Sequence, residues 1–424
     1  MGLSPRSREL GIAGALVAAA TVVGLYASEA ALRWLRPDPG FAAIEAVQRA
    51  GRQWDARSRV QVVEELRARG VDAVSRSIPA ALLERAPDGT YHSRLAREGG
   101  RELLPLGGIA RKTIVLCNEL GDYAIYESDE HGYRNPTGLW DRAPVELVLI
   151  GDSFTIGECV PPGANLGDLI RAHHPLTVDL GMGGDGPLLE LATLTEYGPA
   201  LRPQRVLWFY FENDLWWFDL GINKRAPLLL RYLEPGFRQG LIELQPEIDA
   251  RLSELWAAGH FDPVKNPLEL MDEIQGRGVG RAWRFARLSK LRETVGRLRH
   301  PPDSPADREA PDLALFESIL TLARDRTASW GGTLDFVYLP GVWNFDDGIG
   351  WRPRDDRVRT SVLEIAKKLG LTVIDAQPAM ARHEDPRSLY SFRGSGVLGT
   401  PHLNPSGYAF VARLVLEQIA GESQ

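Results

Sequence analysis

The sequence predicts an α/β protein: a three-layer α/β/α domain on about five parallel strands, preceded by an N-terminal transmembrane helix and interrupted by a mostly helical insertion. Three observations predict it. From Pro144 onward, short apolar runs alternate with helical stretches, the pattern of a parallel sheet with crossover helices. Each run is nearly continuous in Leu, Val, Ile or aromatic residues, as a strand covered on both faces requires. At the N-terminus an uncharged segment of bilayer length follows a short basic leader.

That leader holds Arg6 and Arg8, and residues 10–28 after it are mostly Ala, Val, Leu, Ile and Gly. A helix rises 1.5 Å per residue, so about 20 residues cross the ~30 Å hydrocarbon layer. The arginines hold the leader on the cytoplasmic side and send everything after Glu29 outward, to a periplasmic location for a single-pass protein. Ser28-Glu29-Ala30 is a small-x-small site that would permit cleavage after Ala30. The apolar run exceeds the roughly 7 to 15 residues of a signal-peptide core, which favours an uncleaved anchor over residues 1–30. The chain of 424 residues is 44% hydrophobic and 25% charged, which excludes a disordered or collagen-like protein. A net charge of −7 argues against a nucleic-acid binder, which needs a basic face. Cys117 and Cys159 either pair or remain buried thiols, because two cysteines define no framework.

Residues 31–143 read as a helical stalk followed by a small β-containing lead-in. Over 40–90 Arg and Glu interleave with Ala, Val and Leu, as in a solvated helix or a packing layer. Over 103–136 the pattern turns strand-like, at 113–117 and 123–126 between glycine-rich turns. The main domain, 144–424, has its apolar runs at 145–150, 176–180, 206–211, 333–339 and 371–376. Helices are expected near 165–173, 186–197, 312–329, 358–369 and 405–419. The gap at about 215–311 is too long for a crossover and is an insertion. It carries Trp216, Trp217, Trp256 and Trp283, a basic stretch at 277–299 and a Pro- and Asp-rich linker at 301–311. Three readings of it stand: a wall of a substrate cleft, a packing layer with a solvated basic face, or a membrane-surface element.

In an open parallel sheet the reactive groups lie beyond the carboxyl ends of the strands. The first run ends in Gly151-Asp152-Ser153-Phe154, the second in Gly181-Met182-Gly183-Gly184-Asp185-Gly186 and the third in Glu212-Asn213-Asp214. His402 stands before the last helix. A serine hydroxyl attacks only when a positioned imidazole removes its proton, and the oxyanion that forms needs fixed donors. These residue types, in this order, resemble the SGNH (GDSL-like) hydrolase and acyltransferase superfamily over about 145–420. Residues 129–136, Asp-Glu-His-Gly-Tyr-Arg-Asn-Pro, look like the lead-in of its membrane-anchored bacterial members. The resemblance implies a flavodoxin-like sheet, Ser153 as nucleophile, His402 as base, and Ser153, Gly184 and Asn213 as the oxyanion hole.

The chain departs from that pattern in Phe154, in Phe211 two residues before Asn213, and above all before the histidine. The family's Asp is replaced there by Thr400 and Gly399. Either another acid (Asp346, Asp347 or Asp375) orients His402, or a backbone carbonyl does, or the site is inactive. No His-x-x-x-His or Cys-x-x-Cys spacing is present, so neither metal nor cofactor is expected. The expected function is an esterase or deacylase acting through an acyl-enzyme on a small-molecule or glycan ester. Its alternatives are an O-acyltransferase on a cell-envelope glycan, or a non-catalytic envelope binding or assembly protein that retains the crevice.

Overall fold

The computed structural model describes residues 5–35, 51, 53–55, 57–97, 100–216, 219–258, 285–299, 310–345, 356–391 and 402–422. The N-terminal apolar segment forms one helix, α1 (Pro5–Leu35). Its stretch Gly11–Trp34 has a mean hydropathy of 1.8 and is long and apolar enough to cross a membrane.

Next comes a small mixed layer. Helix α2 (Arg59–Ala68) begins at a reciprocal cap, in which the Ser58 hydroxyl accepts the Gln61 N–H and the Gln61 side chain accepts the Ser58 N–H. Val62 and Val63 of α2 pack on β1 (Ala73–Ser75). Strands β2 (Leu83–Arg85) and β3 (Tyr91–Ser93) pair as a hairpin, while β4 (Thr113–Val115) lies parallel to β1 and antiparallel to β5 (Ile125–Glu127). The helical stalk expected over 40–90 is thus corrected. Among the described residues only 59–68 are α-helical there, because Gly70 turns at φ +82 and Pro79 starts a 3-10 turn at Pro79–Leu82. Residues 36–50 lie outside the described set.

The main sheet has five parallel strands: β6 (Leu147–Ile150), β7 (Thr177–Asp179), β8 (Arg205–Phe211), β9 (Thr333–Leu339) and β10 (Thr372–Asp375), in the order β10-β9-β8-β6-β7. This is the doubly wound order whose chain reverses between its first and third strands, here β6 and β8. The helices are α3 (Ser153–Ile156), α4 (Leu166–Arg171), α5 (Pro187–Leu201), α6 (Leu220–Asn223), α7 (Pro227–Leu230), α8 (Gln245–Ala257), α9 (Ser289–Arg299), α10 (Leu313–Ser329), α11 (Asp356–Lys368), α12 (Ala376–Ala381) and α13 (Pro405–Glu422). Side chains alternate across the strands, so one strand feeds two cores. Val206, Trp208 and Tyr210 pack with α5 and α10, whereas Leu207, Phe209 and Phe211 pack with α4 and α13. That double burial is why the strands read as unbroken apolar runs.

The first half of the insertion is a packing layer. Ile248 and Leu252 of α8 join the core that holds α5, and the Gln239 side chain bonds the Leu104 N–H and C=O at 2.9 and 3.1 Å. Trp217 and Trp283 lie outside the described residues.

Residues 129–136 bracket the two layers together. The Asp129 carboxylate accepts from the backbone N–H groups of His131 and Tyr133 and from the side chains of Asn135 and Trp140, all within 2.8 to 2.9 Å. Asn135 also pairs with the backbone of Asp179. Buried Arg134 donates to the carbonyls of Ile156, Gly157 and Val160, at and just past the end of the short helix that starts at Ser153. A buried guanidinium satisfies three carbonyls in one stroke because its five N–H groups form a rigid fork.

Candidate active site

Strand β6 ends at Ile150, and the chain must turn at once into α3. Gly151 permits the turn: a Cβ there would lie 2.1 Å from the Thr155 hydroxyl and 2.7 Å from the Phe209 carbonyl. Asp152 then caps α3, accepting the Phe154 N–H at 2.8 Å, and Ser153 becomes its first residue.

The Ser153 hydroxyl lies 2.9 Å from Nε2 of His402. Nδ1 of His402 lies 2.9 Å from Oε1 of Glu119, which is 9% exposed. A carboxylate accepts only, so Nδ1 carries the proton and Nε2 is left to accept the serine's. Ser391 supports both partners: its N–H donates to the His402 carbonyl at 2.9 Å and its hydroxyl lies 3.3 Å from the other Glu119 oxygen. Phe154 stacks on Phe211 at 3.7 Å and faces the imidazole at 5.0 Å, so the two apolar departures from the motif form one ring pair under the histidine.

Gly184 follows β7 with φ +77, a left-handed position that favours glycine. Asn213 follows β8, and its amide donates to Asp219 at 3.0 Å. Ser153, Gly184 and Asn213 therefore stand after the three adjacent strands that flank the reversal of the sheet. The expected acids fare differently. Asp375 caps α12 through the Gln377 N–H and pairs with Arg359, so it is engaged away from His402. Asp346 and Asp347 lie outside the described residues.

Glu119, which faces the histidine in their stead, comes from the small sheet well ahead of the parallel one. It follows β4 in Cys117-Asn118-Glu119, and two devices fix it. Asn118 closes the turn, donating to the Gly121 carbonyl and accepting the Gly121 N–H. Cys117 is disulfide-bonded to Cys159 beyond α3, which resolves the two alternatives left by the sequence. The signal was present: Glu119 stands two residues after an apolar run that ends at Cys117, as Ser153 and Asn213 stand after theirs.

Behind the site lies a group of buried acids. Burial lifts Asp152 to about 6, against the lowering effect of the Phe154 N–H and of nearby His402. Asp185, Glu190, Asp214 and Asp219 are pushed well above the carboxylate range, first by burial and then by the charge of Asp152 and of their acidic neighbours. Each binds its proton more tightly folded than unfolded, where carboxyls titrate near 4. Their contribution is therefore full at low pH and declines as pH rises, by up to about 1.4 kcal/mol per pH unit for each group still protonated only in the fold. The double variant Asp185→Asn/Glu190→Gln mimics the protonated pair. Its melting temperature should gain on wild type progressively from about pH 5 to 8; parallel curves would show the pair to be ionised in the fold.

The five-stranded parallel sheet, its two helical layers and the serine turn after its first strand make a three-layer α/β/α fold of doubly wound order. No family model matches the chain, and no curated protein shows significant similarity to it. Among solved structures it is similar to a lipase/acylhydrolase from Enterococcus faecalis, with 15% identity and a TM-score of 0.36 over 66% of this chain and 96% of that one. It is also similar to the acetyl xylan esterase AlAXEase, with 11% identity and a TM-score of 0.37 over 65% and 100%. A third is a carbohydrate esterase family 2 enzyme with a carbohydrate binding domain from Corynascus thermopiles (Myceliophthora fergusii), with 12% identity and a TM-score of 0.32 over 70% of each chain.

Proposed function

We propose that the chain is a membrane-anchored serine esterase of the SGNH type that cleaves an acyl ester outside the cytoplasmic membrane. The observation that carries this reading is the unbroken relay from the Ser153 hydroxyl through both nitrogens of His402 to Glu119. In it, His402 takes the serine proton as Oγ attacks the ester carbonyl, and Glu119 stabilises the imidazolium that forms. The N–H groups of Ser153 and Gly184 and the Asn213 amide receive the oxyanion, with Asp219 holding that amide. His402 then protonates the departing alcohol, and a water deprotonated by the same imidazole releases the acid. An acceptor hydroxyl on a glycan in place of that water makes the same residues an acyltransferase. The non-catalytic reading has the missing Asp as its main support, and the contact of Glu119 with His402 weighs against it.

Full-length protein in detergent should be labelled by a fluorophosphonate at Ser153, seen by intact mass. Ser153→Ala should not label, and His402→Ala should label slower by about 10⁴-fold or more. A folded wild type that stays unlabelled, or a labelled Ser153→Ala, would refute an activated Ser153.

A further inference from the structure

An acidic residue near the end of a membrane span is costly unless it is partnered, and its partner is the clue to its purpose. Glu29 is such a residue: its carboxylate is fully buried against α9, the helix Ser289–Arg299. It accepts the Lys290 and Leu291 N–H groups of the first turn of α9 at 3.0 and 2.6 Å, and Arg33 at 2.8 Å. One turn before it, the Tyr26 hydroxyl donates to the Ala286 carbonyl at 2.9 Å, and its ring lies 5.5 Å from Phe285. The basic stretch of the insertion thus returns to the anchor.

We propose that α9 is an interfacial helix that lies on the bilayer surface against anionic phospholipid headgroups, locked to the end of the span by Glu29. This rests on the reading of α1 as a membrane span. The depth fits: Glu29 lies five residues before Trp34, about 7 Å along the axis, within the roughly 5 to 10 Å at which amphipathic helices sit in the headgroup boundary. The surface fits as well. Trp34, 83% exposed, marks the end of the span as interfacial tryptophans do. On the segment that returns to α1, Phe285 and Val295 are exposed, as are Arg287 and Arg292. An exposed surface with both apolar and basic side chains suits a headgroup layer of negative charge. The whole chain is acidic at −7 and would be repelled by that layer, so this local basic surface decides how the molecule meets it. Two attachment points, one crossing and one lying flat, then hold the catalytic crevice at a set attitude to the membrane.

The test is hydrogen exchange on the full-length protein in nanodiscs of phosphatidylcholine alone or mixed with phosphatidylglycerol. Amides of α1 should be protected in both. Amides of 289–295 should exchange about tenfold more slowly with phosphatidylglycerol, the weight of one or two basic residues near an anionic surface. High salt, or Arg287→Glu/Arg292→Glu, should cancel that difference and leave fluorophosphonate labelling of Ser153 intact. Equal exchange of 289–295 in both lipids, with α1 protected, overturns the proposal. Free exchange of α1 would overturn the spanning reading first, and the proposal with it.

Discussion

Replacing Glu119 with glutamine should lower kcat by about 10⁴-fold while the protein remains folded, the loss seen when the acid of a serine-protease triad is amidated. The reason is the tautomer. An amide turned toward Nδ1 offers an N–H, which favours the imidazole with its proton on Nε2, and that form has nothing with which to accept from Ser153. It also removes the charge that stabilises the imidazolium in the transition state. Glu119→Asp keeps the charge but shortens the reach across the 2.9 Å contact, so it should fall between the two. Asp375→Ala should leave kcat near wild type and cost only about 1 kcal/mol through the cap of α12. Steady-state rates on a chromogenic acyl ester, with melting temperatures alongside, decide it. Near-normal turnover by Glu119→Gln would remove Glu119 from the relay.

The contrast between Glu119 and Asp375 shows what a sequence makes legible. Strands buried on both faces leave continuous runs, so 206–211 and 333–339 coincide with β8 and β9 to within a residue, and the serine and histidine follow from asking what stands at strand and helix ends. That question reaches only as far as the sheet to which it is put. Glu119 follows β4, three residues long and paired with β1, and its approach to His402 is fixed by contacts distant in sequence: 283 residues to the histidine, and 42 across the disulfide. No local period encodes such contacts. The helical expectation over 40–90 failed in the described residues past Ala68 for the opposite reason. Charge interleaving resembles helix everywhere, yet Gly70 and Pro79 punctuate the segment and pairing with β4 claims Ala73–Ser75. Tertiary pairing overrode propensity there.

The disulfide makes a second, separable effect on the same acid. Cys117 lies two residues before Glu119 and Cys159 six after Ser153, so the bridge fastens the loop that bears Glu119 to the chain just past the helix that starts at Ser153. Its removal in Cys117→Ser/Cys159→Ser frees a loop of 42 residues, worth about 4 kcal/mol in the chain-entropy account, and should lower the melting temperature accordingly. The rate should fall too, but less than in Glu119→Gln, because Asn118 and Ser391 still hold the acid. Misplacement of a reacting group by about 1 Å costs on the order of a hundredfold, which sets the scale of the expected loss in kcat, with KM little changed. Combining the cysteine changes with Glu119→Gln separates staple from positioner. If the bridge serves the acid, the triple variant should be no slower than Glu119→Gln alone, since the group being positioned is already gone. Additive losses would mean that the bridge acts on the nucleophile turn instead, and a lower melting temperature with unchanged kcat would make it a structural staple only.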